Sequence, residues 1–238
     1  MADDLPDKRA RPKDVDVFLS KVAATTKRAR TNGQRGRLMF AMDATASRQP
    51  SWDTAASIQG QMFQETAALG GLDIQLTFYR GFGEFKVGPW TTNERDLMRL
   101  MTSVFCLAGE TQISKVLQHA VNEAKRDRLN AMVFVGDCVE EDVDHLGKIA
   151  GELGLLGVPA FIFHEGHDPV AKFAFQQIAT LSGGACMSFD HSSASVLREL
   201  LAAVAVYAAG GRAALEDRAK REGGTVLMLT NQMNGNGS

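Results

Sequence analysis

Polar side chains with oxygen ligands follow apolar runs at two points of the 238-residue sequence. Asp43 ends the run "LMFAM", and Thr45 and Ser47 follow it at alternate positions. Asp137 ends a second apolar run, "AMVFVG", and Thr111 lies between the two in the polar stretch "AGETQ". Carboxylates and hydroxyls are the ligands that hard divalent cations such as Mg²⁺ prefer. Taken alone, "DATAS" is equally typical of a helix cap, so both interpretations are open at this point.

Apolar runs alternate with amphipathic segments, and these elements must position the polar residues. The predicted strands lie at 37–42, 72–81, 83–92, 129–137, 158–166 and 185–190. The predicted helices lie at 48–71, 93–107, 113–128, 140–157, 168–184 and 192–211. The predicted helix at 168–184 begins with Asp168 as its cap and Pro169 at its first position. The connection "RGFG" between the second and third strands is hairpin-short, so this pair is predicted to be antiparallel.

This alternation of strands and helices predicts an α/β fold. Its sheet is doubly wound and mostly parallel, with one antiparallel edge strand and helices on both faces. In such sheets ligands bind at the carboxyl ends of the strands. The polar residues named above are therefore expected to converge at one edge of the sheet.

Three motifs in this order resemble those of von Willebrand factor type A domains, the fold shared with integrin inserted domains. "MFAMDATAS" looks like the DxSxS signature that ends the first strand, and "AGETQI" resembles the Gly-x-Thr loop. "MVFVGD" resembles the apolar strand that ends in Thr-Asp-Gly. The resemblance covers about residues 35–210 and includes an antiparallel edge strand in third position.

The resemblance implies a metal-ion-dependent adhesion site (MIDAS) that holds Mg²⁺ or Mn²⁺. Thr45, Ser47 and, in an open state, Thr111 would bind the metal through hydroxyls, and Asp43 and Asp137 would act largely through water. The resemblance also implies a protein partner that presents an Asp or Glu side chain to the metal. Intracellular bacterial members of the family commonly act as adaptors to AAA+ ATPases or chaperone-like complexes, so this role is expected here.

Two of the three motifs depart from the family's pattern, at three positions in all. Thr45 stands in place of the usual serine, which keeps the hydroxyl and adds a methyl group. Cys138 stands where the family has glycine, and Gly136 where it often has threonine. These departures bear on metal affinity more than on the fold.

A haloacid-dehalogenase-like Mg²⁺-dependent phosphatase is the enzyme alternative, because it also places an aspartate after its first strand. That chemistry needs a second aspartate two residues later as general acid and base, and position 45 is threonine. We therefore expect no enzyme activity. A structural scaffold with a vestigial metal site is the other alternative.

The segment "HEGHD" at 164–168 suggests a transition-metal site at first sight. It lacks the two histidines four residues apart that a helical zinc motif requires, so it is interpreted as a polar loop after a strand. The three cysteines are scattered and form no CxxC pair, which favours neither a disulfide framework nor a zinc site. Cys106 is expected to be buried and inert.

Charge and composition suggest the limits of the domain. Residues 1–34 form a predicted basic arm with a short helix at 14–30. Nucleic acid is an unlikely partner because no aromatic residue lies within the basic runs "KRARPK" and "KRARTNGQRGR". Residues 35–211 form the predicted domain, and 212–238 a C-terminal extension with a disordered end. The N-terminus has no signal-peptide character, and no apolar stretch is long enough for a membrane span. We therefore expect a cytoplasmic protein.

Overall fold

A computed structural model describes residues 35–189 and 194–222 of the protein. Six strands form one sheet in the order β3-β2-β1-β4-β5-β6, and all neighbours are parallel except β2 and β3. The strands are β1 (Gly36–Asp43), β2 (Leu72–Arg80), β3 (Glu84–Thr91), β4 (Ala131–Gly136), β5 (Ala160–Glu165) and β6 (Ala185–Phe189). The predicted fold class is confirmed, including the antiparallel hairpin at the edge.

Helices cover both faces of the sheet. They are α1 (Gln49–Ile58), α2 (Gly60–Thr66), α3 (Glu94–Thr102), α4 (Ile113–Arg126), α5 (Val143–Leu155), α6 (Pro169–Ser182) and α7 (Ala194–Glu222). Alternate residues of β1 enter different cores, because side chains of a strand point to opposite faces. Leu38, Phe40 and Met42 pack on the side of α1, α2, α3 and α7. Met39 and Ala41 pack on the side of α4, α5 and α6.

Several predicted helix bounds were wrong in detail. The single helix expected at 48–71 is a 3₁₀ turn (Ala46–Arg48) followed by α1, α2 and a second 3₁₀ turn (Ala67–Leu69). The helix expected to begin at 140 begins at Val143, because the Asp142 side chain accepts the His145 N–H at 2.7 Å and caps it. Residues 140 and 141 are thereby free to serve another loop.

The last helix runs past its predicted end at 211 to Glu222, but Gly211 has non-helical angles (φ 71°) and kinks it there. The predicted cap of α6 is confirmed, since the Asp168 side chain accepts the Ala171 N–H at 2.6 Å. Within the two described ranges, no helix is both long and apolar enough to cross a membrane. The predicted basic arm with its helix at 14–30, and residues 223–238, lie outside the described residues.

Candidate metal centre

The two aspartates leave the sheet side by side. β1 and β4 are adjacent and parallel, with Met42 paired to Val135 just before the strands end. Asp43 and Asp137 therefore emerge at the same edge, as the sequence predicted. The Ser47 hydroxyl donates a hydrogen bond to Asp137 Oδ2 at 3.0 Å. This bond joins the loop after β1 to the loop after β4.

Asp43 lies at the bottom of the candidate site and is 1% exposed. Its Oδ1 accepts the Thr45 N–H at 2.7 Å, and its Oδ2 accepts the Tyr79 hydroxyl at 3.0 Å. Burial raises the pKa of Asp43, and the nearby charge of Asp137 adds to this rise. Hydrogen bonds from the Thr45 backbone and side chain, and the charge of Arg48, oppose it. An added cation would also oppose the rise in pKa, because a nearby positive charge favours the charged form of this carboxyl.

Thr111 lies on the loop between α3 and α4 and is tied to the loop after β4. Its hydroxyl accepts the Glu140 N–H at 3.0 Å, and its own N–H donates to Glu140 Oε2 at 2.8 Å. Glu141 accepts the backbone N–H groups of Ile113 and of Ser114, the latter at 2.9 Å, and so caps the start of α4. In the described part of the chain, Thr111 makes no direct hydrogen bond to the other four predicted ligands. The structure thus attaches Thr111 to the loop after β4 through Glu140.

The Thr111 loop (residues 103–112) also forms backbone hydrogen bonds to the loop after β1 and to the turn between β2 and β3. The Leu107 N–H donates to the carbonyl of Ala44 at 3.0 Å, and the Glu110 N–H donates to the carbonyl of Gly81 at 3.3 Å. Gly109 sits so close to the hairpin turn that an added Cβ would lie 2.1 Å from the Gly81 oxygen. A glycine is therefore required at this position for the loop to reach its place.

Arg48 is a site residue that the sequence analysis missed. It is 1% exposed, and its Nη1 forms a close ion pair with Glu165 and lies 3.9 Å from Asp137 Oδ2. The Ser51 hydroxyl donates to the same Glu165 carboxylate. Helical spacing could have revealed this arginine, since it lies four residues before Trp52 on the buried face that also includes Ala55.

The strand predicted at 158–166 correctly includes His164 and Glu165, whereas the interpretation of "HEGHD" as a polar loop was wrong for these two residues. His164 and Glu165 are buried and belong to β5, and only residues 166–168 form the loop. Glu165 lies beside the candidate site because Gly136, the last residue of β4, pairs with His164. The pairing of β5 with β4, and not the polar composition of the segment, decides the position of this carboxylate.

The donors at this edge fit a divalent cation. Among the described residues, no three His, Cys, Asp or Glu side chains form a metal-binding group. The candidate set instead combines two carboxylates, Asp43 and Asp137, with the hydroxyls of Thr45 and Ser47, which suit a hard cation that keeps water. With Glu165 and Arg48 included, three carboxylates and one guanidinium give a formal charge of −2. A divalent cation would balance that charge.

No family model and no curated protein matches the sequence. Solved structures match the fold. The SpRpn10 VWA domain is 14% identical, with a TM-score of 0.53 over 75% of this chain and 98% of that chain. An aerotolerance-related membrane protein from Bacteroides fragilis is 13% identical, with a TM-score of 0.51 over 70% of this chain and 98% of that chain.

A third similar structure contains a metal. Proximal thread matrix protein 1 from the mussel byssus, with a zinc-occupied MIDAS motif, is 13% identical, with a TM-score of 0.58 over 73% of this chain and 46% of that chain. The present chain thus spans about half the length of that protein. Together these similarities show that the protein has the fold of a von Willebrand factor type A domain.

Proposed function

We propose that the protein is a metal-dependent recognition module that binds an acidic residue of a partner protein. Asp43, Thr45, Ser47 and Asp137 would hold Mg²⁺ or Mn²⁺, with Thr111 completing the site. The observation that carries this proposal is the 3.0 Å hydrogen bond from Ser47 to Asp137, which joins the loops that follow β1 and β4 at the edge where the buried Asp43 lies. The zinc-occupied MIDAS motif of a protein with the same fold supports it.

The exposure of the candidate ligands suits recognition of a partner. Asp43 is buried, whereas Ser47 is exposed and the side chain of Asp137 is 28% exposed. A cation held between them would be covered by protein on the side of Asp43 and open to solvent on the side of Ser47 and Asp137. When bound there, it would supply an electrophilic coordination position that a partner's carboxylate can fill. An adaptor role toward an AAA+ ATPase or a chaperone-like complex belongs to the same proposal.

The proposal assigns the site to binding and not to catalysis. A phosphatase of the kind considered above needs an acid at position 45, where the side chain is a threonine that hydrogen-bonds to Asp43. Asp43 itself is held from both sides by Thr45 and Tyr79. We therefore expect no turnover of a generic phosphate ester in the presence of Mg²⁺.

Titration calorimetry with Mg²⁺ and Mn²⁺ tests the metal site. Wild type should bind one ion, and Asp43→Asn should bind at least about tenfold more weakly because a carboxylate at the metal is lost. Asp144→Asn, which removes an exposed carboxylate in the first turn of α5, is the matched control and should bind like wild type. Equal affinities of wild type and Asp43→Asn would refute the proposed ligand set.

The open coordination position is tested without knowledge of the partner. Mn²⁺ bound to the protein should enhance water-proton relaxation, and sodium acetate should lower this enhancement by displacing the exchanging water. Sodium chloride at equal ionic strength is the control. An enhancement that acetate leaves unchanged would argue against recognition of a carboxylate.

A further inference from the structure

Arg48 lies beside Asp137, a carboxylate that the proposed cation would also use. The 3₁₀ turn after β1 exposes Ser47 and turns the next residue, Arg48, inward. Its guanidinium contacts Glu165 at the end of β5 and lies 3.9 Å from Asp137 Oδ2. The same Asp137 oxygen accepts the hydroxyl of Ser47. One carboxylate of the proposed metal site thus already faces a buried positive charge.

The guanidinium of Arg48 is only partly satisfied. Its Nη1 meets Glu165, whereas its buried Nε and Nη2 have no hydrogen-bond partner within the described residues. A guanidinium has five N–H donors in a fixed fork, so most of its capacity is unused at this place. Hydrogen bonding alone therefore gives a poor reason for burying an arginine here. Its positive charge beside Asp137 and Asp43 gives a better one.

We propose that Arg48 is the built-in counter-ion of this site and weakens the binding of a divalent cation. Without a metal, Arg48 offsets the charges of Asp137 and Glu165. A divalent cation among the same carboxylates is repelled by Arg48 at short range in a poorly solvated place, where charges interact strongly. Arg48 therefore sets the metal concentration at which the site fills. This inference rests on the proposed function, because it concerns the affinity of the same site.

Removing the charge of Arg48 should strengthen metal binding. Calorimetry should show Mn²⁺ binding to Arg48→Gln at least about tenfold tighter than to wild type, and Arg48→Lys should stay close to wild type because it keeps the charge. Thermal unfolding with and without Mn²⁺ gives a second readout. The rise in Tm on adding Mn²⁺ should be larger for Arg48→Gln than for wild type.

Arg37→Gln is the matched control. Arg37 pairs with the buried Glu123, but it lies six residues before Asp43 on β1, or roughly 20 Å away along the strand. This variant should lose stability without any change in metal affinity. An Arg48→Gln variant with wild-type metal affinity would overturn the inference and assign Arg48 a purely structural role.

A second pair of variants covers the case in which Arg48→Gln fails to fold because Glu165 loses its partner. In that case Arg48→Gln/Glu165→Gln is compared with Glu165→Gln, and the double variant should bind Mn²⁺ about tenfold tighter. Equal binding would overturn the inference.

The outcomes for the inference and for the proposed function differ. Binding by Arg48→Gln but not by wild type supports the inference and overturns the proposed function, because the arginine then replaces the metal in the natural protein. No binding by wild type or by any variant overturns both.

Discussion

Substituting Gly109 by alanine should push the loop that carries Thr111 away from the turn between β2 and β3. The added Cβ would lie 2.1 Å from the oxygen and 2.3 Å from the carbon of the Gly81 carbonyl. Both obstacles are backbone atoms, which cannot swing aside as the end of a side chain can. The loop must therefore move by about 1 Å to reach an ordinary contact distance. That movement breaks the hydrogen bond from Glu110 to Gly81.

The expected cost follows from overpacking. Forced insertion of a methyl group costs about 1–3 kcal/mol, and in a domain of this size each kcal/mol lowers Tm by roughly 2–4 °C. Gly109→Ala should therefore melt roughly 2–12 °C below wild type by circular dichroism. Because Thr111 lies two residues further on, the variant should also bind Mn²⁺ more weakly in calorimetry.

Gly151→Ala provides a control of opposite sign. Gly151 lies inside α5, and an added Cβ there meets nothing within 4 Å. Alanine in a helix interior is better than glycine by about 0.5–1 kcal/mol, so this variant should melt above wild type and bind metal unchanged. A Gly109→Ala protein with the Tm and the Mn²⁺ affinity of wild type would refute the reasoning from close approach.

Three further predictions concern titratable groups. Burial raises the pKa of Tyr79 well above its ordinary value and that of Tyr207 to about 12, so phenolate absorbance should stay low near pH 10 until urea unfolds the chain; a full phenolate signal in the folded protein would contradict this. Burial raises the pKa of Cys106 to about 11, so iodoacetamide near neutral pH should modify the exposed Cys138 first, as read by mass spectrometry of peptides; faster labelling of Cys106 would contradict it. Burial raises the pKa of Asp43 above its ordinary 3.8, so the folded state holds this proton more tightly and its contribution to the free energy of unfolding is lost as pH rises through the folded pKa. In EDTA, urea unfolding at several pH values should show that Asp43→Asn lacks this loss, and parallel curves for the two proteins would contradict it.

The sheet, and the place of Asp43 and Asp137 at the same edge of it, could be predicted because both depend on patterns of apolar and polar residues along the sequence. Buried parallel strands are continuous apolar runs, and a polar residue marks where each run leaves the core. The connection of three residues between β2 and β3 leaves room only for an antiparallel partner. These rules apply whatever the rest of the chain does.

The supporting residues could not be predicted by the same rules. Arg48 was given no role within the predicted helix at 48–71, because burial of an arginine is exceptional and depends on a partner, Glu165, that is 117 residues away in the chain. Glu140 and Glu141 were assigned to a helix by their composition. Their carboxylates instead serve backbone N–H groups of the Thr111 loop and of α4. Helical spacing indicates that Arg48 faces the core, but the distant partner of a buried polar side chain leaves no periodic trace in a sequence.

The bond from Ser47 to Asp137 joins residues 90 positions apart, and this separation orders events during synthesis. β1 can pair with β2 as soon as the hairpin strands are made, but its other neighbour, β4, is still missing. At roughly 5–20 residues per second, translation of the intervening chain takes roughly 5–20 s. During that interval the nascent chain displays the unpaired edge of its central strand, β1. Pairing of β1 with β4 is therefore the step that ends the exposure of this strand edge to other chains.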